Sequence, residues 1–188
     1  MKLIKEYKEN LTSIINTLDE SKIYDLAKLI FETNHHGKCI YFCGNGGSAG
    51  NANHIVNDLI YGARNANNFG YNTESLSANQ SVLTCLANDV GYDNIFSEQI
   101  NCKAKRGDLL ICLSGSGNSK NIVNAIKLAN TKEIKTVSIV GYDGVESKKI
   151  SQFYIHTNIN DMQISEDLQL IIFHIVMKLL KNERIKNE

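Results

Sequence analysis

Two short apolar runs, each closed by small polar residues and followed by a helical pattern, constrain this chain more than any other feature. Cys39-Ile40-Tyr41-Phe42-Cys43 is bounded by Gly37 and by Gly44-Asn45-Gly46-Gly47. A continuous apolar run with a glycine turn after it reads as a strand buried on both faces. A helix is expected next, from about Ser48 to Tyr61. The pattern recurs in Asp108 to Leu113, which ends in Ser114-Gly115-Ser116-Gly117-Asn118-Ser119. The helix after it is expected over Ser119 to Ala129. Lys135 to Val140 and Phe153 to Thr157 predict two further strands, and a weaker one is expected near Glu74 to Leu76. Ser165 to Leu180 predicts the last long helix. Strands alternating with helices indicate an α/β fold with a parallel sheet and helices on both faces. Upstream, Leu3, Tyr7, Leu11, Ile14, Ile15 and Leu18 recur at helical spacing, and Ile23 to Phe31 repeats this, predicting an N-terminal helical hairpin. A length of 188 residues fits one domain over 1–188, with N-terminal helices over 1–34 and a core over 38–182.

Composition matters chiefly for what it removes. Formal net charge is zero and no long basic run occurs, so nothing supports nucleic-acid binding. The Lys-rich tail from Lys178 to Lys186 also carries Glu183, with Glu188 beyond it, and reads as a solvated helix end. Cys39, Cys43, Cys85, Cys102 and Cys112 form no CxxC pair. An odd count of five without a signal peptide predicts buried thiols in a reducing cytoplasm. There is no apolar stretch of about 18 residues to span a membrane.

The two loops after the strands carry the chemistry. Ligands of parallel sheets bind at the carboxyl ends of strands. A glycine turn lets backbone N–H groups approach an anion, and a following helix N-terminus adds free donors and partial positive charge. Ser114, Ser116 and Ser119, with Ser48 from the other loop, can encircle a phosphate without Lys or Arg. Ser119 also suits a plain helix cap. The loop lacks the GK[ST] of a P-loop and the chain lacks GxGxxG, so no nucleotide cofactor is expected. His54 and Asp58 lie one helical turn apart and face one side. His174 interrupts a strongly apolar stretch, where a buried imidazole needs a partner or a purpose. His35 and His36 sit at an expected helix end and favour its dipole, while His156 lies in a strand and reads as structural.

Gly44-Asn45-Gly46-Gly47-Ser48, His54, Asn88-Asp89 and Leu113 to Ser119 occur in an order that resembles the phosphoheptose isomerase branch of the SIS (sugar isomerase) family. The resemblance runs from about Leu3 to Leu180. It implies a three-layer αβα sandwich, flavodoxin-like, with a mostly parallel sheet, and a phosphorylated sugar as ligand. It also implies a homo-oligomer, a tetramer with sites between subunits. By the same resemblance, Ser114, Gly115, Ser116 and Ser119 hold the phosphate. Asn45, Gly46, Gly47, Ser48, Asn88, Asp89 and Glu166 bind the rest of the substrate.

The family's catalytic Glu and His fall at Asp58 and His174. Three departures stand out: Asp for Glu at 58, Gly115 in a loop that is usually Ser-Thr-Ser, and Glu166 where the branch carries Gln. Some members hold zinc, which here implicates His54, Asp58, Glu166 and His174 as ligands. Glu166 and His174 are eight residues apart, about 12 Å along an ideal helix. Ser165 is an alternative helix cap, leaving Glu166 as an ordinary first-turn acid. Acid–base and metal-ligand roles for His174 compete, because one lone pair cannot serve both. The expected reaction interconverts sedoheptulose 7-phosphate and an aldoheptose 7-phosphate. Isomerisation of a different sugar phosphate and a non-catalytic phosphosugar-binding regulator are the rival readings.

Overall fold

The structure, a computed structural model, describes residues 1–64 and 70–181. The end of the Lys-rich tail and residue 182 of the expected core lie outside the described residues. In chain order come α1 (Lys2–Ile15), α2 (Glu20–His35), β1 (Ile40–Gly44) and α3 (Gly46–Asn57). The helix continues through a π-helical turn over Asp58–Gly62. Then follow β2 (Thr73–Ser75), α4 (Gln80–Asp89), a 3₁₀ turn (Tyr92–Asn94), α5 (Ile95–Lys103) and β3 (Leu109–Ser114). The chain finishes with α6 (Lys120–Thr131), β4 (Lys135–Val140), α7 (Val145–Ile150), β5 (Phe153–His156) and α8 (Met162–Lys181).

The five strands pair in parallel in the order β2-β1-β3-β4-β5. That order reverses direction between β1 and β3, the point at which α/β sheets leave a crevice outside their carboxyl ends. The alternation of side chains along each strand divides the core in two. Ile40 and Phe42 of β1 and Leu109, Ile111 and Leu113 of β3 pack under α2, α3 and α8. Tyr41 and Cys43, with Leu110 and Cys112, pack on the other face under α5 and α6. The result is the expected αβα sandwich.

Element ends differ from the sequence expectation where a cap or a turn was not visible. α3 begins at Gly46, two residues before Ser48. Its regular part stops at Asn57. α8 begins at Met162 because the Asp161 carboxylate accepts the Ile164 N–H at 3.0 Å. Ser165 is therefore inside the helix, where its hydroxyl bonds back to the Asp161 carbonyl at 2.7 Å, and it is no cap. α2 is entered through Asp19, which accepts from the N–H groups of Ser21 and Lys22.

The two N-terminal helices have different fates. α2 buries Ile23, Leu26, Ala27 and Ile30 against the core. α1 buries no residue, and Leu3 and Ile4 remain exposed. It is tied to α8 through the Tyr7 hydroxyl, which donates to the Asp167 carboxylate. That bond, more than burial, pushes the Tyr7 phenol up to about 12.

The thiols correct one expectation. Cys43 and Cys112 are buried and face each other across β1 and β3, but Cys85 and Cys102 are exposed. The His156 ring bonds the Tyr142 carbonyl, and the His36 ring bonds the Glu32 carbonyl at the end of α2, both as structural roles. Among the described residues, no helix is long and apolar enough to cross a membrane.

Candidate active site

The loops after β1 and β3 meet at the switch point because those strands are neighbours. A shallow cleft there is lined by Asn45, Ser48, Leu113, Ser114, Gly115, Ser116, Ser119, Met162 and Glu166. Gly46 and Gly47 form the first turn of α3 beside it. The N-termini of α3 and α6 both open onto this cleft, which supplies the unpaired N–H groups and positive end of each helix dipole. The Ser114 hydroxyl oxygen accepts the Gly117 N–H at 3.0 Å, and that of Ser116 accepts the Asn118 N–H at 3.3 Å. Both oxygens are thus engaged inside the loop while their protons stay available. Ser119 occupies the cap position of α6 without making a capping bond.

Two substitutions relative to the family pattern have structural partners. A Cβ on Gly115 would lie 2.4 Å from the Met162 sulfur, so Met162 occupies the space that a side chain at 115 would need. A Cβ on Gly47 would lie 2.2 Å from a Glu166 carboxylate oxygen. Glu166 therefore points at the first turn of α3 and, among the described residues, is the one charged side chain lining the cleft. An acid there sits well on the helix dipole but opposes a second anion.

A second cluster lies farther along the same seam. α3 and α8 run side by side in the same direction. The His54 and His174 Nε2 atoms are 3.2 Å apart. Asp58 Oδ2 lies 3.4 Å from His54 Nε2 and 3.7 Å from His174 Nε2. Asp58 is the first residue of the π-helical turn, a distortion that recurs at functional sites. Despite being a methylene shorter than Glu, its carboxylate reaches both imidazoles.

The expectation of a buried His174 is corrected. Its side chain is 51% exposed, against 48% for His54 and 27% for Asp58. Phe173, Val176 and Met177 beside it in sequence face the core, whereas His174 faces out, as does Ile175. Tetrahedral zinc with bonds of about 2.0–2.1 Å sets ligand atoms about 3.3–3.4 Å apart. The three separations bracket that value, and the open side leaves room for a further ligand. Among the described residues these three form the group able to hold a metal, and Glu166 is not in it. Glu166 is directed instead to Gly47, about two turns back along α8.

Asn88 and Asp89 do not line the cleft. They are exposed at the end of α4, where Asn88 Nδ2 donates to Asp89 Oδ1 at 2.8 Å. That bond, with one from the Cys85 thiol, holds the Asp89 carboxyl below its ordinary range. The turn that follows them brings in a residue not singled out in the sequence. The Tyr92 hydroxyl donates to Asn45 Oδ1 at 2.9 Å. Asn121, buried on the first turn of α6, exchanges amide bonds of 2.8 and 2.9 Å with Asn45. Asn121 thereby ties the two loops together. Asn51 and Gln169 were also missed, although Gln169 interrupts the apolar run Leu168 to Phe173 and so carried a visible signal.

Comparison with known proteins agrees with this arrangement. The sequence model of the SIS domain matches residues 4–141. The chain is 33% identical over 184 residues to the phosphoheptose isomerase of Aliarcobacter butzleri, covering 96% of each chain. It is 35% identical over 161 residues to that of Akkermansia muciniphila, covering 86% of this chain and 85% of the relative. Among solved structures, phosphoheptose isomerase from Francisella tularensis superimposes with a TM-score of 0.88 at 20% identity, over 96% of this chain and 95% of the other. The Neisseria gonorrhoeae enzyme gives 0.86 at 22% identity, over 95% and 96%. At such identities these structures bear on the fold.

Proposed function

Because the chain belongs to the SIS domain family, among the phosphoheptose isomerases, we propose that it interconverts sedoheptulose 7-phosphate and D-glycero-D-manno-heptose 7-phosphate. The observation that carries this reading is the seam itself. An anion cleft at Ser48 and Ser114–Ser119 lies at one end of α3 and α8, and the His54–Asp58–His174 cluster lies farther along the same two helices. His54 lies six positions after Ser48, about 9 Å along the helix. A sugar anchored by its terminal phosphate lies along that seam with its first two carbons toward the cluster.

Aldose–ketose isomerisation moves a proton between adjacent carbons through an enediol and needs a base for the carbon and a donor for the oxygens. Asp58 and His174 serve as that acid–base pair, with His54 orienting the Asp58 carboxylate. His54, Asp58 and His174 also suit a divalent ion, zinc by their chemistry. Such an ion supplies polarisation of the substrate carbonyl.

The test is turnover of sedoheptulose 7-phosphate, followed by mass and by proton NMR in heavy water. One solvent deuteron entering at the carbon beside the carbonyl is expected. A regulator would bind the sugar phosphate and exchange nothing. Exchange with a pentose or hexose phosphate but not with the heptulose would move the substrate assignment.

The active form is a homotetramer in which neighbouring copies complete the site. Supporting this, α1 buries nothing in the single chain, and Ile15, Leu18, Tyr24, Ile175 and Leu179 line an open groove beside it. Ile175 adjoins His174, so a copy seated on this face covers the exposed imidazoles. Sedimentation velocity at micromolar concentration is expected to find a species of four 21.0 kDa chains. An active monomer would refute it. The buried thiols Cys43 and Cys112 suit a reducing cytoplasm.

A further inference from the structure

A run of side-chain amides behind the cleft has a direction that can be worked out from one end. The Glu166 backbone carbonyl can only accept. It receives a hydrogen bond of 2.9 Å from the side chain of Asn51, so the Asn51 atom facing it is Nδ2. The second hydrogen of that Nδ2 goes to the Gln169 side chain, also at 2.9 Å. The Gln169 atom facing Asn51 must then be its oxygen, and its nitrogen faces away. Gln169 Nε2 lies 3.0 Å from Ser48 Oγ. Ser48 is therefore the acceptor in this bond. Its single proton finds no acceptor among the described residues and is left for the cleft that Ser48 lines.

Burial makes this ordering firm. Gln169 is 1% exposed and Ser48 is 3% exposed, so water does not compete for these bonds from the protein side. A serine hydroxyl in solvent donates or accepts equally well. One whose oxygen already accepts from a fixed, buried amide presents its proton in one direction. Preorganised donors cost no reorientation when an anion arrives.

We propose that Gln169 is a positioning residue that, through Asn51 and the Glu166 carbonyl, commits Ser48 to donate to an anionic oxygen of the ligand. This rests on the reading of the cleft as the phosphate site. It gives Gln169 a share in affinity for the phosphate although it does not line the cleft.

The experiment is a double-mutant cycle of Ser48→Ala and Gln169→Met, with affinity for inorganic phosphate and for sedoheptulose 7-phosphate measured by calorimetry. Steady-state constants and thermal transitions are recorded for the same proteins. Ser48→Ala removes a hydrogen bond to a charged group and is expected to weaken binding about tenfold or more. Gln169→Met keeps the volume, frees the hydroxyl to rotate, and is expected to weaken binding about three- to tenfold. KM should rise with kcat held. In the Ser48→Ala background Gln169→Met should change nothing further, because its effect passes through the hydroxyl.

Equal losses from Gln169→Met in both backgrounds would mean a general packing role and overturn the proposal, as would no loss in either. Wild-type affinity in Ser48→Ala would remove the phosphate from this cleft, and the relay with it. Should Gln169→Met fail to unfold cooperatively, Asn51→Ala releases the same relay from a half-buried helical position and carries the same cycle.

Discussion

Asp58→Asn and His174→Ala are each expected to lower isomerase turnover by about 100- to 10,000-fold, the range of a general acid–base group. Neither residue lines the cleft at Ser48 and Ser114–Ser119, so affinity for sugar phosphate should persist. The two residues lie in one cluster. Asp58 Oδ2 lies 3.7 Å from His174 Nε2 and 3.4 Å from His54 Nε2. Groups that act together are non-additive, so the double variant should be little worse than the poorer single one. Asn keeps the shape of Asp but cannot take a proton, which separates chemistry from packing. Metal content, measured on the same three proteins, distinguishes the two roles open to His174. If the cluster holds zinc, His174→Ala also loses the metal and chelation silences the wild type. If the imidazole acts as an acid or base alone, chelation changes nothing. Near-normal turnover in either single variant would place the chemistry on other residues.

Ser116→Leu is expected to abolish binding of sugar phosphate, a loss of more than about a hundredfold, from two or more hydrogen bonds to a charged group. Ser116 lines the cleft, and its oxygen accepts the Asn118 N–H at 3.3 Å inside the loop. Leucine removes that acceptor and fills the space where the anion would sit. The loop stands on β3, whose residues from Leu109 to Ser114 are all buried, so the sheet should not sense the change. Calorimetric titration with sedoheptulose 7-phosphate and a melting curve decide the matter. Unchanged affinity with an unchanged melt would remove the phosphate from this loop.

The strand-end loops were legible because the signal is local. A buried strand such as Leu109–Ser114 announces itself by a continuous apolar run, and the small residues after it can only be a turn. β4 over Lys135–Val140 has the predicted ends for the same reason. The start of α8 was not legible, since Asp161 acts as its cap from within a polar stretch that has no helical period. For Asn88 and Asp89 the motif was legible and its place in the fold was not. Their order in the chain fits, but in this single chain they bond each other on the surface at the end of α4.

What the sequence by itself determined is therefore the set of elements, the two loops of small polar residues at strand ends and the shared helical face of His54 and Asp58. Each follows from spacing along one segment, where backbone geometry dictates which side chains are neighbours. Only the tertiary structure decided how segments far apart in the chain meet. The strand order places the loops after β1 and β3 side by side. The parallel run of α3 and α8 sets His174 against His54 and turns Glu166 toward Gly47. It also stacks Asn51, Gln169 and Ser48 into one directed series. Those contacts depend on how helices pack across a sheet, which no local pattern specifies.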